Sequence, residues 1–255
     1  MPEPELLVSI YVVALLFFVV AAVYASVGLG GGSSYTALMA LLGFGTLSIP
    51  LISLILNVLV TTVGSYNFIR NRHARWRLIL PFVLSSIPMA YLGGALHLPA
   101  VVFNWLLLAS LIFVAARIYL WPETGMRLHL GPRGRLLLSL AAGAILGLLA
   151  GIVGIGGGVY LVPLIIVLGL GSQKEAAACG AIFVWLNSVA GLAARLQYNA
   201  IDLLAYWPLI AAVLLGAFAG SWLGAVRLAP RSMERILGVI ILLAIVTLLR
   251  KLLVS

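Results

Sequence analysis

Gly154-Ile155-Gly156-Gly157-Gly158 lies inside an apolar run, and the chain writes the same element 126 residues earlier as Gly28-Leu29-Gly30-Gly31-Gly32. Nine residues after the first glycine, the later copy places Pro163 and the earlier copy places Ala37. Glycine interrupts a helix and lets other groups approach the main chain. In lipid no water satisfies freed backbone, so it must line a cavity, meet another part of the protein or hold a ligand. A helix-breaking element written twice in corresponding places predicts a duplicated transporter with one site between its halves.

The chain around these elements has 255 residues, 64% hydrophobic and 8% charged. A soluble domain carries about a quarter charged residues, so the composition excludes that class and predicts one all-α polytopic membrane domain over 1–255. The N-terminal apolar run from Leu6 to Val27, preceded by Glu3 and Glu5, is not expected to be a cleavable secretory signal. The lone Cys179 excludes an internal disulfide and a cysteine metal cluster and is expected to pack in the interior. The net charge of +9 does not indicate nucleic acid, because the arginines gather at the ends of apolar segments. That distribution is the positive-inside pattern of membrane proteins.

Ten apolar segments are readable, at about 6–27, 33–44, 47–69, 78–97 and 101–121, then 136–153, 158–170, 174–197, 203–226 and 232–253. They form two repeats, about 6–121 and 136–253, joined by a Gly- and Pro-containing linker at about 122–135. Further correspondences support the duplication. Gly43-Phe44-Gly45 answers Gly169-Leu170-Gly171, Asn57 answers Asn187, Pro81 answers Pro208, and Gly94-Ala95 answers Gly224-Ala225.

The second segment of each repeat, about 12 residues or ~18 Å of helix, is too short to cross a core of about 30 Å. Counted as a crossing, it gives an inverted 5+5 arrangement. Counted as re-entrant, it gives a 4+4 arrangement with parallel halves. With both termini outside, the inverted arrangement puts 12 of the 15 lysines and arginines on the inner face. The alternative, with both termini inside, puts 11 there and moves Lys174 outside. The inverted arrangement is preferred. Both place Arg70–Arg77 and Arg127–Arg135 in the cytoplasm.

The substrate-binding candidates follow from this organisation. Gly30, Gly31 and Gly32 in one repeat, and Gly156, Gly157 and Gly158 in the other, each precede a short helix. Helix N-termini carry about half a positive charge and bind anions. Ser33 and Ser34 are candidates to cap the first half-helix or to donate to an anion oxygen, and Tyr160 is the candidate donor of the second. Asn57 and Asn187, polar and in corresponding third segments, are candidates to complete the shell. The competing reading is that the triple glycines serve close helix packing. That reading is preferred for the rows Gly143/Gly147/Gly151 and Gly216/Gly220/Gly224.

Arg195 is expected to snorkel to the interface, with a gating or anion-attracting role as the alternative. No metal site is expected of His73, His97 and His129, nor any cofactor, and no carboxylate stands at mid-span for a proton relay. The absence of GxxxxGK[ST], GxSxG and HExxH argues against an ATPase, a serine hydrolase or a zincin, so the chain is not read as an enzyme.

With these motifs in place, the chain resembles the sulfite exporter TauE/SafE family, also called the 4-toluene sulfonate uptake permease family. The resemblance covers nearly the whole chain. Gly154, Gly156, Gly157, Gly158, Pro163 and Leu164 fit the family pattern, as do Gly28, Gly30, Gly31, Gly32 and Leu38, while Ala37 stands where the pattern has proline. The resemblance implies a prokaryotic inner-membrane protein that moves sulfur-containing anions such as sulfite or organosulfonates. The reading is therefore an alternating-access exporter driven by the membrane potential or an ion gradient. The alternatives are an anion channel and a structural or assembly subunit. Expected partners are a small anion, the lipid bilayer and a second copy in a homodimer, with no nucleic acid.

Overall fold

A computed structural model describes residues 9–26, 29–120, 131–198, 206–223 and 230–254. Glu3, Glu5, Leu6, Val27, Gly28, Arg127, His129, Gly224 and Ala225, all used above, lie outside the described residues. Among the described residues ten α-helices follow one another: α1 Ile10–Ser26, α2 Gly32–Leu41, α3 Ser48–Arg70, α4 Trp76–Ala95, α5 Ala100–Leu120, α6 Pro132–Val153, α7 Gly158–Val167, α8 Gln173–Leu196, α9 Trp207–Leu223 and α10 Pro230–Val254. Each apolar segment of the sequence is one helix. Helix α6 starts earlier than expected, because Pro132 takes the first turn, where its missing N–H costs nothing. Helices α3, α4, α6 and α8 are long and apolar enough to span a membrane.

Glycine contacts give the direction in which the helices run. Along α6, a Cβ on Gly143, Gly147 or Gly151 would collide with the carbonyls of Phe82, Ser86 and Ala90 in turn, so α6 lies parallel to α4 with their backbones touching. Gly216 and Gly220 bring α9 against the carbonyls of Phe18 and Ala22 in the same way, parallel to α1. These rows serve close helix contact, where small residues let backbones approach. Gly94 meets Gly191 near the ends of α4 and α8, and the Arg75–Glu175 ion pair (3.7 Å) joins their starts, so α8 is also parallel to α4. Helix α3 runs the other way. Leu54 touches Gly191, while the Trp185 indole donates to the Thr62 hydroxyl, 3.0 Å away. Helix α5 packs on α10.

These directions place the short helices. Arg75, Arg77, Arg135 and Leu170 line one cavity, so the end of α3, the starts of α4 and α6, and the loop after α7 share one face, here called the arginine face. Helix α6 leaves that face and α7 returns to it, from Gly158 beside Val184 to Leu170. Lys174 therefore stands on the same face as Arg75. Helix α2 leads from the interior toward the start of α3, at the opposite face, so α2 and α7 point in opposite directions. A capping box fixes the start of α8: the Glu175 N–H donates to Ser172 Oγ and the Ser172 N–H donates to Glu175 Oε2.

Two outcomes are expected. Gly147→Leu forces a side chain into Ser86 and lowers stability by about 1–3 kcal/mol, whereas Ile145→Ala, at a position 61% exposed, changes little. Thermal melting in detergent checks both. In sealed membranes, a cysteine at Lys174 is labelled from the same side as one at Arg72, and a cysteine at Tyr198 from the other.

Candidate functional site

Each short helix begins at a glycine held in left-handed backbone. Gly31 (φ 84°) precedes α2 and Gly157 (φ 81°) precedes α7, and neither start has a side-chain cap. Gly154 and Gly156 share this conformation (both φ 81°), which L side chains rarely adopt. Both short helices are ten residues long, ~15 Å. Ala37 in place of proline therefore leaves the length of α2 unchanged, and Thr36 Oγ1 donates to the carbonyls of Gly32 (2.9 Å) and Ser33 (3.0 Å).

The two glycine turns meet between α3 and α8. A Cβ on Gly32 would lie 2.5 Å from the Ile155 carbonyl oxygen and 2.5 Å from Asn57 Nδ2. One on Gly30 would lie 2.6 Å from Asn57 Oδ1, and one on Gly156 would lie 3.0 Å from Asn57 Nδ2. The Asn57 amide is thus wedged between the two turns. Val184 of α8 forms an apolar wall against Gly30, Gly156 and Gly158. Leu29–Met39 and Ala150–Val162 are buried throughout, so this conformation closes the region from both faces.

The broken backbone is satisfied unevenly. At the carbonyl end of α6, the Gly154 N–H donates to Ala150 O (2.9 Å), while Arg195 Nη2 donates to Gly151 O (2.9 Å) and Ile152 O (2.7 Å). The Gly154 carbonyl accepts from Ser53 Oγ (2.7 Å) and Asn57 Nδ2 (3.2 Å). On the amide side, the first N–H groups of a helix have no acceptor within it. Among the described residues, no backbone acceptor outside the helices meets those of Gly30–Ser33 or Ile155–Val159. Asn57 Oδ1, both polar atoms of the Asn187 amide and Ser188 Oγ are buried without hydrogen-bond partners. Ser188 lies on the Gly156 side of this region, 3.5 Å from where a Cβ would stand.

The predicted site residues therefore divide. Gly30, Gly31, Gly32, Gly156, Gly157, Gly158 and Asn57 come together. Asn187 is fully buried on α8 beside Ser188. The hydroxyls of Ser33 and Ser34 do not cap α2; they face Tyr24 Oη at 3.3 and 3.1 Å. Tyr160 Oη donates to the Ser110 carbonyl of α5 (3.4 Å), away from the turns. Arg195 does not snorkel: it is 6% exposed and ties down the end of α6. Cys179 is buried, as expected. No group of three metal-ligating side chains occurs among the described residues.

Ser53 and Val184 were missed. The signal for Ser53 was its spacing, since Ser53, Asn57 and Thr61 recur every four residues on one face of α3. Gly180, Val184 and Ser188 do the same on α8.

Comparison with known proteins agrees with this architecture. The model of the family described as sulfite exporter TauE/SafE matches residues 13–248. A curated relative in Sinorhizobium fredii (strain NBRC 101917 / NGR234), named "Probable membrane transporter protein y4hK", is 34% identical over 236 residues, covering 91% of this chain and 94% of the relative. No solved structure matches.

Arg195→Met leaves two helix-end carbonyls without a donor. Bonds to a charged group contribute about 1.5–3 kcal/mol, so a drop in melting temperature is expected, partly restored in Arg195→Lys. An unchanged melting temperature would show that the bonds to Gly151 and Ile152 do not hold the break in place.

Proposed function

The chain belongs to the sulfite exporter TauE/SafE family and is a multi-pass membrane transporter; on that footing we propose that it moves a small sulfur-containing anion, sulfite or an organosulfonate, outward by alternating access. One observation carries this reading: the N-termini of two oppositely directed half-helices meet across Asn57, deep in an apolar body. Each end contributes about half a positive charge and N–H groups that have no acceptor within the helix. An anion between them would exchange part of its water shell for fixed dipoles. The amide of Asn187 and the hydroxyl of Ser188, already dehydrated, would lose nothing further by joining that shell.

The helix pairings support a duplicated chain. Exchanging α1–α5 for α6–α10 turns the α4/α6 contact into α9/α1 and maps α3/α8 and α5/α10 onto themselves. Helices α4 and α6 run away from the arginine face as one parallel pair, and α1 and α9 form the corresponding parallel pair. This supports two inverted repeats, at about 6–121 and 136–253, around one site. Because the site is closed in this conformation, substrate entry requires one half to rock against the other, which exposes it to one face at a time. A negative-inside potential favours anion exit by about 2.3 kcal/mol per charge per 100 mV, so voltage alone can drive export.

In proteoliposomes at 100 mV, each net charge carried should shift the sulfite distribution by ~50-fold. Gly157→Leu, which cannot hold the left-handed turn and collides with Phe183, should abolish flux while the protein stays folded. Flux indifferent to both voltage and Gly157→Leu would overturn the proposal.

A further inference from the structure

The amide of Asn57 is held in one orientation. Its Nδ2 donates to the Gly154 carbonyl, 3.2 Å away, and turning the amide over would set two carbonyl oxygens face to face. Oδ1 is therefore directed at the other glycine turn, where a Cβ on Gly30 would stand 2.6 Å from it. The side chain is fully buried, yet Oδ1 has no hydrogen-bond partner. A carboxamide oxygen can only accept, so what this atom lacks is a donor.

The facing helix repeats the pattern. Val184 of α8 abuts both turns, at Gly30 and at Gly156. Asn187 and Ser188 come one helical turn later, on the same face of α8. Both polar atoms of the Asn187 amide and Ser188 Oγ are buried without partners. The region therefore offers acceptors as well as donors. A fully deprotonated oxyanion brings acceptors only, and its lone pairs would meet the Asn57 oxygen with nothing between them. Charge points the same way. The two helix ends together supply about one positive charge, and the charge of Arg195 is engaged with the carbonyls of Gly151 and Ile152. A single negative charge is balanced there, whereas a second would be buried without compensation, which is costly.

We propose that the site between the glycine turns selects a singly charged anion that carries its own hydrogen-bond donor, hydrogensulfite or a hydroxylated sulfonate rather than the sulfite dianion; this rests on the transport reading above. Asn57 Oδ1 accepts the guest's proton, while Asn187 Nδ2 and the Ser188 hydroxyl donate to its oxygens. Asn57 is then the residue that sets specificity, because its donor side is already committed to Gly154. A site built to bond a substrate hydroxyl discriminates strongly against an analogue that lacks it. Among the described residues, the buried ionisable side chains are Tyr24, Tyr35, Tyr160, Cys179 and Arg195. None is a carboxylate or a histidine, so a pH dependence of transport near neutrality belongs to the guest.

Flux through the full chain in proteoliposomes tests the proposal, with sulfite over a range of pH and with ethanesulfonate and hydroxyethanesulfonate, which keep one negative charge throughout. At fixed total sulfite, flux should fall by about tenfold per pH unit once the dianion predominates. Hydroxyethanesulfonate should outrun ethanesulfonate by about tenfold or more, and Asn57→Leu should erase that preference. Should Asn57→Leu not fold, Asn187→Leu, which breaks no hydrogen bond, should narrow it. Equal flux of the two sulfonates, sulfite flux that holds or rises as the dianion takes over, or a preference unchanged in the folded variant overturns the proposal and leaves the transport reading standing. Flux of none of these anions defeats the transport reading, and this proposal with it.

Discussion

Main chain interrupted inside an apolar body must find hydrogen-bond partners, and in this protein side chains from neighbouring helices supply several of them. The carbonyls at the end of α6 are bonded by the Gly154 N–H and Arg195, and the Gly154 carbonyl is bonded by Ser53 and Asn57. Among the described residues, the amides that open α2 and α7 receive no comparable partners from the backbone. The end of α6 is thus tied down by side chains, and the glycine turns that open α2 and α7 face each other across Asn57.

The rest of the bundle holds the two turns in register. Backbone contact along Gly143, Gly147 and Gly151 locks α6 to α4, and Gly216 and Gly220 lock α9 to α1. Asn57 between the turns and Val184 behind them leave no room for a side chain at Gly30, Gly32, Gly156 or Gly158. Arg195 belongs to this framework. Its charge is spent on the negative end of α6, where it offsets the helix dipole, and this accounts for a cation so deep in the bundle without assigning it to substrate.

Helix identity and depth were legible in the sequence, because apolar run length and glycine or proline punctuation report them directly. The meeting of the two glycine elements was legible too, since each stands at a matching place in its apolar run, 126 residues apart. Azimuth was harder to read. Ser33, Ser34 and Tyr160 stand at the right depth, yet their hydroxyls point to Tyr24 and Ser110. A residue's position after a helix start does not say which neighbour its side chain faces. Arg195 was misjudged for a related reason: snorkelling is the default for an arginine near a helix end, and only the position of α6 supplies the carbonyls that outcompete water. The four-residue spacing of Ser53, Asn57 and Thr61 held the missing information, and it became meaningful once the facing helix was known.

The central claim is that two sets of open amides converge on one anion. Hydrogen–deuterium exchange of the full protein in lipid, with and without sulfite, measures this directly. The account predicts that peptides covering 29–35 and 154–160 gain protection together on adding sulfite, while the Gly143–Gly151 stretch of α6 does not change. Slow exchange in both peptides that sulfite leaves unaltered, or protection confined to one of them, would contradict it.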